Sequence, residues 1–174
     1  TDLFLGETHL VDGIAIRFVF APSTPGRVYA LASHGMCGVG CPGRMGPGIL
    51  ASDNGGGTWR PSGLTGENVS ALVVSPSHDG LLYAGTFSGK VARSDDAGST
   101  WRWVSQDLSS GLALTSLAMD PADSQKLYAG LDGGAILLSQ DGGATWRRSA
   151  SGMPAEMTVT SLVADPTRAG TVYA

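Results

Sequence analysis

Lysine is nearly absent from this chain, Lys90 and Lys126 being the only two in 174 residues. Lysine and arginine together number 11 against 15 acids, a formal charge of −4. No basic stripe is therefore available for a nucleic acid or an anionic membrane surface. Charged residues of both signs make up only 15% of the chain while 42% is hydrophobic, which excludes disorder and leaves enough apolar side chain for a core. No apolar run reaches 18 residues, so no membrane-spanning helix is expected. The opening TDLFLGETHLVDG lacks the basic-then-apolar build of a secretion signal. Cysteine is scarce too, with Cys37 and Cys41 alone, both in one short segment. Glycine and proline are plentiful, at 26 and 9, and so much turn-forming residue argues against a helical bundle.

The aromatic residues reveal a repeat. All four tyrosines, Tyr29, Tyr83, Tyr128 and Tyr173, lie seven residues after a proline: Pro22, Pro76, Pro121 and Pro166. Trp59, Trp101 and Trp146 recur behind them, 30, 18 and 18 residues after a tyrosine, which places a 12-residue insertion in the first copy. One copy is 42 to 45 residues long and reads as four short strands, the period and content of a propeller blade. In the third copy the strands are expected at 114–120, 126–131, 135–139 and 145–149, with turns between them. First strands such as LVV, LAM and LVA are apolar on successive residues, as befits a sheet covered on both faces.

The expected fold is all-β, a propeller of four-stranded antiparallel blades with about three and a half blades present. Residues 1–13 form an N-terminal segment with an extra strand, 14–65 the first blade with its inserted loop 33–48, 66–109 the second, 110–154 the third, and 155–174 two strands of a fourth. Closed propellers typically have four to eight blades, and using residues 3–11 as the missing strand leaves a four-blade closure one strand short. Either further blades belong to a longer chain, or two copies complement each other.

Ahead of each repeated tryptophan stands a turn sequence: Ser52-Asp53-Asn54-Gly55-Gly56-Gly57-Thr58-Trp59, Ser94-Asp95-Asp96-Ala97-Gly98-Ser99-Thr100-Trp101 and Ser139-Gln140-Asp141-Gly142-Gly143-Ala144-Thr145-Trp146. An acid or amide at the third position can accept from backbone N–H groups, the glycine supplies a positive φ, and the tryptophan anchors the hairpin. These segments resemble the Asp-box, Ser-x-Asp-x-Gly-x-Thr-Trp, with Asn54 departing at the acid. Proteins carrying this repeat are the Asp-box propellers: sialidases, the sortilin luminal domain, oligoxyloglucan-type glycoside hydrolases and photosystem II assembly factors. The resemblance implies that the boxes sit between third and fourth strands, away from the active face, with a structural role for Ser52, Asn54, Gly56, Ser94, Asp96, Gly98, Ser139, Asp141 and Gly143. Arg60, Arg102 and Arg147, next to the tryptophans, read as exposed outer-edge charges that oppose aggregation.

Function is expected on the opposite face, where the insertion SHGMCGVGCPGRMGPG falls. His34 and Arg44 in it, with Arg17 near the propeller axis, are the candidate ligand-binding residues. Arg17 stands where the other copies have Ala71, Ser116 and Ser161; it suits a carboxylate or simply solvates the central channel. Cys37 and Cys41 read first as a local disulfide, which fits a secreted or periplasmic protein. The alternative is a soft-metal site using Cys37, Cys41, His34 and Met36. No cofactor is called for. Glycoside hydrolysis needs two carboxylates, and Glu67, Asp107, Asp132 and Glu156 are loop acids on this face, though solvated turns also account for them. Asp120 and Asp165 precede the turn prolines and read as turn initiators. The leading reading is a non-catalytic module binding a protein or glycan, possessing no nucleic-acid partner. Two alternatives stay open, a fragment of a secreted glycoside hydrolase of the oligoxyloglucan type and a photosystem II assembly factor-like protein.

Overall fold

The computed structural model describes residues 4–5, 8–9, 14–34, 48–78, 80–106, 108, 111–149 and 157–174. Strands β3 (Ile14–Phe20), β4 (Val28–His34), β5 (Ile49–Ser52) and β6 (Arg60–Pro61) form one antiparallel sheet in sequential order. A second sheet consists of β7 (Val69–Val74), β8 (Leu82–Thr86), β9 (Val91–Ser94) and β10 (Arg102–Ser105). The third has β11 (Leu114–Met119), β12 (Leu127–Leu131), β13 (Ile136–Ser139) and β14 (Arg147–Arg148). Two strands, β15 (Val163–Ala164) and β16 (Val172–Tyr173), start a fourth. Near the N-terminus β1 (Phe4–Leu5) and β2 (Thr8–His9) pair with each other as a separate hairpin. The fold is thus all-β, with three complete meander blades and part of a fourth.

The tyrosine repeat is explained by the register. Tyr29 stands across from Val19 on one side and Ala51 on the other, and Tyr83 and Tyr128 occupy the same place in their sheets. Their side chains face the following blade. Tyr29 and Val19 of the first blade pack with Leu72, Val74, Leu82 and Ala84 of the second. In the next gap Tyr83 and Val73 meet Leu117, Met119 and Leu127. Tyr128 and Ala118 then meet Leu162, Ala164 and Val172. First strands β7 and β11 therefore send alternate residues into two different cores, which is why their sequences are apolar without alternation. Burying one such leucine contributes about 1.5–3 kcal/mol.

The three fourth strands, β6, β10 and β14, begin at arginine, two residues later than the sequence pattern indicates. Trp59, Trp101 and Trp146 close the preceding turn and are half-buried rather than paired in the ladder. The turns divide between two ends of the molecule. Hairpins β5–β6, β9–β10 and β13–β14 lie at one end beside the first-to-second-strand turns, joined by Gly55 N–H to Gly26 O (2.8 Å), Ala97 N–H to Gly80 O (2.9 Å) and Gly142 N–H to Gln125 O (2.9 Å). Second-to-third-strand turns and the links between blades share the other end, shown by Phe87 N–H donating to Asn68 O (3.0 Å) and Asp132 N–H to Ala113 O (2.8 Å).

Candidate functional site

The three tryptophan hairpins are nearly identical devices. Ser94 Oγ accepts from Gly98 N–H at 2.9 Å and donates to Asp96 Oδ1 at 2.8 Å; that same carboxylate takes the Thr100 N–H at 2.8 Å and the Thr100 hydroxyl at 2.6 Å. Ser139, Asp141, Gly143 and Thr145 repeat the arrangement. In the first copy Asn54 Oδ1 accepts from Thr58 N–H at 2.8 Å and its Nδ2 donates to Thr58 Oγ1 at 3.0 Å, so the hydroxyl bond is reversed while the turn survives. The threonine hydroxyls, then the threonine amides, hold Asp96 and Asp141 down to about 2. Carboxylates so engaged by their own turn are stabilised as anions and have no proton to exchange near neutrality.

A second set of contacts at this end links the hairpins to arginines. Asp53 accepts from Arg27 Nε at 2.7 Å and from Arg60 at 3.3 Å. Asp95 accepts from Arg93 Nε at 2.8 Å and lies 3.6 Å from Arg102. Arg147 reaches Gln140 Oε1 at 3.2 Å. Arg60, Arg102 and Arg147 are exposed as their edge positions imply, and each also reaches back to the second residue of its own hairpin. Hydrogen bonds from Arg27 and Arg93 lower the carboxyl pKa values of Asp53 and Asp95. The seven-residue spacing of Asp53 and Arg60, Asp95 and Arg102, and Gln140 and Arg147 is visible in the sequence and is the signal by which these three contacts could be found.

The opposite end is less regular. Lys90 Nζ lies 3.0 Å from Glu67 Oε1 and 5.1 Å from the centroid of the Trp103 ring. Asp132 Oδ1 accepts from the Thr158 hydroxyl at 2.7 Å. Phe87, Leu112 and Met157 occupy turns or links here with 47%, 42% and 52% of their surfaces exposed. Lys90, Trp103, Phe87, Leu112 and Met157 escaped the sequence reading because each is an ordinary residue whose surroundings depend on the folded turns and strand ends at this end of the molecule. Glu67 lies in the link between β6 and β7 and Asp132 in the β12–β13 turn, and among the described residues no hydrogen bond or ion pair joins them. Arg17 donates from Nη1 to Ser70 O at 3.3 Å, tying the first strand of one blade to the next. Asp120 and Asp165 do cap their turns, accepting from Ala122 N–H and Thr167 N–H at 3.0 and 2.9 Å. Asp120 additionally takes the Gly170 N–H of the fourth sheet at 2.6 Å, with Lys126 Nζ at 3.2 Å.

His34 ends β4 opposite Ile14. Met36, Cys37, Cys41, Arg44, Asp107 and Glu156 lie outside the described residues, so the disulfide, metal and acid pairs drawn from them do too. Among the described residues no three His, Cys, Asp or Glu side chains gather as metal ligands, and no helix is long and apolar enough to cross a membrane.

Neither a protein-family model nor a curated protein matches the sequence. Solved structures do. An ancestral GH74 enzyme superposes with a TM-score of 0.69 over 94% of this chain at 22% identity. YCF48 from Cyanidioschyzon merolae gives 0.60 over 85% at 17% identity, and a YCF48 bound to D1 peptide gives 0.51 over 72% at 26%. This chain spans 22%, 39% and 37% of those proteins respectively. The likeness establishes the class of fold, a β-propeller.

Proposed function

We propose that the chain is part of an Asp-box propeller and acts as a non-catalytic binding module through the end opposite its hairpins. The observation that carries this reading is the contrast in use of side chains: Asp96 and Asp141 are consumed by their own turns, whereas Phe87, Leu112 and Met157 are exposed at the other end. Exposed apolar residues set among charged ones are the usual build of a protein-contact surface. The YCF48 bound to D1 peptide supports a polypeptide ligand over a glycan. Arg17, and from the insertion His34 and Arg44, are proposed as further contacts, with a Cys37–Cys41 disulfide fixing the loop in a protein outside the cytoplasm.

A second reading, part of a glycoside hydrolase, is favoured by the likeness to the GH74 enzyme. One experiment separates the two. The chain is presented with a peptide library and, in parallel, with xyloglucan oligosaccharides whose reducing ends are counted. The expected result is peptide binding that weakens about 10-fold in Phe87→Ala or Leu112→Ala, with no new reducing ends. Sugar release abolished by Glu67→Gln or Asp132→Asn would replace the binding module with the hydrolase.

A further inference from the structure

Asparagine occurs twice in the chain, at Asn54 and Asn68, and the two have opposite chemical settings. Asn54 is exposed and is followed by Gly55, also exposed, with a φ of 70°; a Cβ built on Gly55 would have no neighbour within 4 Å. Asn68 is followed by Val69, a β-branched residue 2% exposed and paired with Thr86 in the second sheet. The backbone nitrogen that follows an asparagine can attack the carbonyl carbon of the asparagine side chain. A glycine at the following position places no side chain in the way and lets the backbone rotate into line, whereas a stiff β-branched residue fixed in a ladder does neither. Position 54 is also where the first hairpin differs from the other two, which carry Asp96 and Asp141 there.

In the closed hairpin both reacting groups are engaged elsewhere. Gly55 N–H donates to Gly26 O of the β3–β4 turn at 2.8 Å. Asn54 Oδ1 accepts from Ser52 Oγ at 2.9 Å and from Thr58 N–H at 2.8 Å, and its Nδ2 donates to Thr58 Oγ1 at 3.0 Å. Attack on the side chain therefore requires the hairpin to open, and exposed turns open locally at far less cost than a core strand. A carboxylate could occupy the same turn, because Asp96 uses the equivalent serine hydroxyl and threonine N–H at 2.8 Å each. What changes is the threonine hydroxyl, which donates to the carboxylate of Asp96 but accepts from the amide of Asn54.

We propose that Asn54 is a site of spontaneous deamidation, held back by the closed hairpin and released when the hairpin opens. Gly55 N gives up its proton and forms a bond to Asn54 Cγ; the side-chain nitrogen leaves as ammonia, and residues 54 and 55 share a five-membered succinimide. Water is the co-reactant. It opens the ring at the former side-chain carbonyl to leave an aspartate, or at the main-chain carbonyl of residue 54 to leave an isoaspartate, so that amide and water become carboxylate and ammonium. Aspartate leaves the main chain as it was and is the residue that the other two hairpins carry. Isoaspartate adds one carbon to the main chain between Ser52 and Thr58 and so destroys the spacing on which the turn depends. The site lies at the hairpin end and stands apart from the binding proposed for the opposite end.

Peptide mapping by mass spectrometry tests this on the whole chain, incubated at mildly alkaline pH either folded or in guanidinium. In the unfolded chain Asn54 should convert at least about 10-fold faster than Asn68. In the folded chain its conversion should be at least about 10-fold slower than in the unfolded one, since only the open fraction reacts. Thr58→Val removes the hydroxyl that accepts from Nδ2 and should speed conversion in the folded chain about 5-fold, while Thr58→Ser restores the hydroxyl and the slow rate. Thr145→Val makes the same change in the third hairpin and should leave the rate at Asn54 as in wild type; circular dichroism verifies that all three variants are folded. An unfolded chain in which Asn54 lasts as long as Asn68 would overturn the site. A folded chain that loses the amide as fast as the unfolded one, or a Thr58→Val no faster than Thr145→Val, would overturn the control by the hairpin.

Discussion

The first tryptophan hairpin and the second have the same backbone course and different surroundings. Both close through a serine hydroxyl on the glycine N–H, at 2.9 Å in each, and a side-chain oxygen on the threonine N–H, at 2.8 Å in each. The turn is thus specified by acceptor position, and a carboxylate is dispensable to its shape. What separates the two is the blade in front. Trp101 has Ser62 O as acceptor and packs into the core between first and second blades, while Trp59 lies tilted by 40° against Phe18, 5.8 Å between ring centroids, and its N–H has no acceptor among the described residues.

The largest expected effect follows from that difference. Trp101→Ala removes core packing and strips the Ser62 carbonyl of its donor, a loss of about 3 kcal/mol, or about 6–12 °C in melting temperature for a chain of this size. Trp59→Ala removes an indole whose buried N–H already carries a penalty, so it should cost about half as much. Thermal melts of the two variants check this, and equal losses would show that the preceding blade contributes nothing to the anchor.

A smaller separation is expected at the hairpin glycines. Gly98 and Gly56 have φ of 83° and 95°, so alanine at either site carries left-handed strain of about 1 kcal/mol. Only at Gly98 does the new Cβ also strike Ser62 Oγ, which is buried and donates to Gly98 O at 3.0 Å. Moving that hydroxyl sacrifices its hydrogen bond, adding about 1 kcal/mol. Gly98→Ala should therefore lower the denaturant midpoint about twice as far as Gly56→Ala, and a reversed order would sink the role given to the preceding blade.

Much of this contrast was legible in the amino acids. Tyrosine and tryptophan spacing defined the blades because each aromatic has a fixed job at a fixed register, and the hairpin motif is local, so nearby residues alone determine it. What sequence left hidden depends on contacts between repeats. Asp53 and Asp95 read as turn residues, yet each is gripped by two arginines, one of which, Arg27 or Arg93, comes from a different strand position in the two blades. Asp120 read as a turn initiator and also fastens Gly170 of the next sheet, 50 residues away. The end opposite the hairpins was the least legible. Phe87, Trp103 and Leu112 match no motif, and only the folded turns determine that Lys90 covers Trp103 while Phe87 stays exposed.

The subtlest difference between the hairpins is one of charge, and Asn54→Asp isolates it. The second hairpin shows that adjacent acids are tolerated there, since Asp95 is neutralised by Arg93 and Arg102 just as Asp53 is by Arg27 and Arg60. A carboxylate at 54 would keep the Thr58 N–H and take the Thr58 hydroxyl as a donor, as Asp96 does with Thr100. The folded pKa of Asp96 is about 2, below the unfolded value of about 3.9. Such a group stabilises the fold fully above the unfolded value and loses that contribution as pH falls from about 4 to about 2. Asn54→Asp should accordingly leave the melting temperature at pH 7 equal or slightly higher and steepen its fall across that acid window, whereas Asp96→Asn should flatten the fall. Melts at pH 7, 4 and 2 decide the matter. If Asn54→Asp and wild type lose stability in parallel, the charge on the third hairpin residue has no energetic part in the turn, and only its acceptor geometry counts.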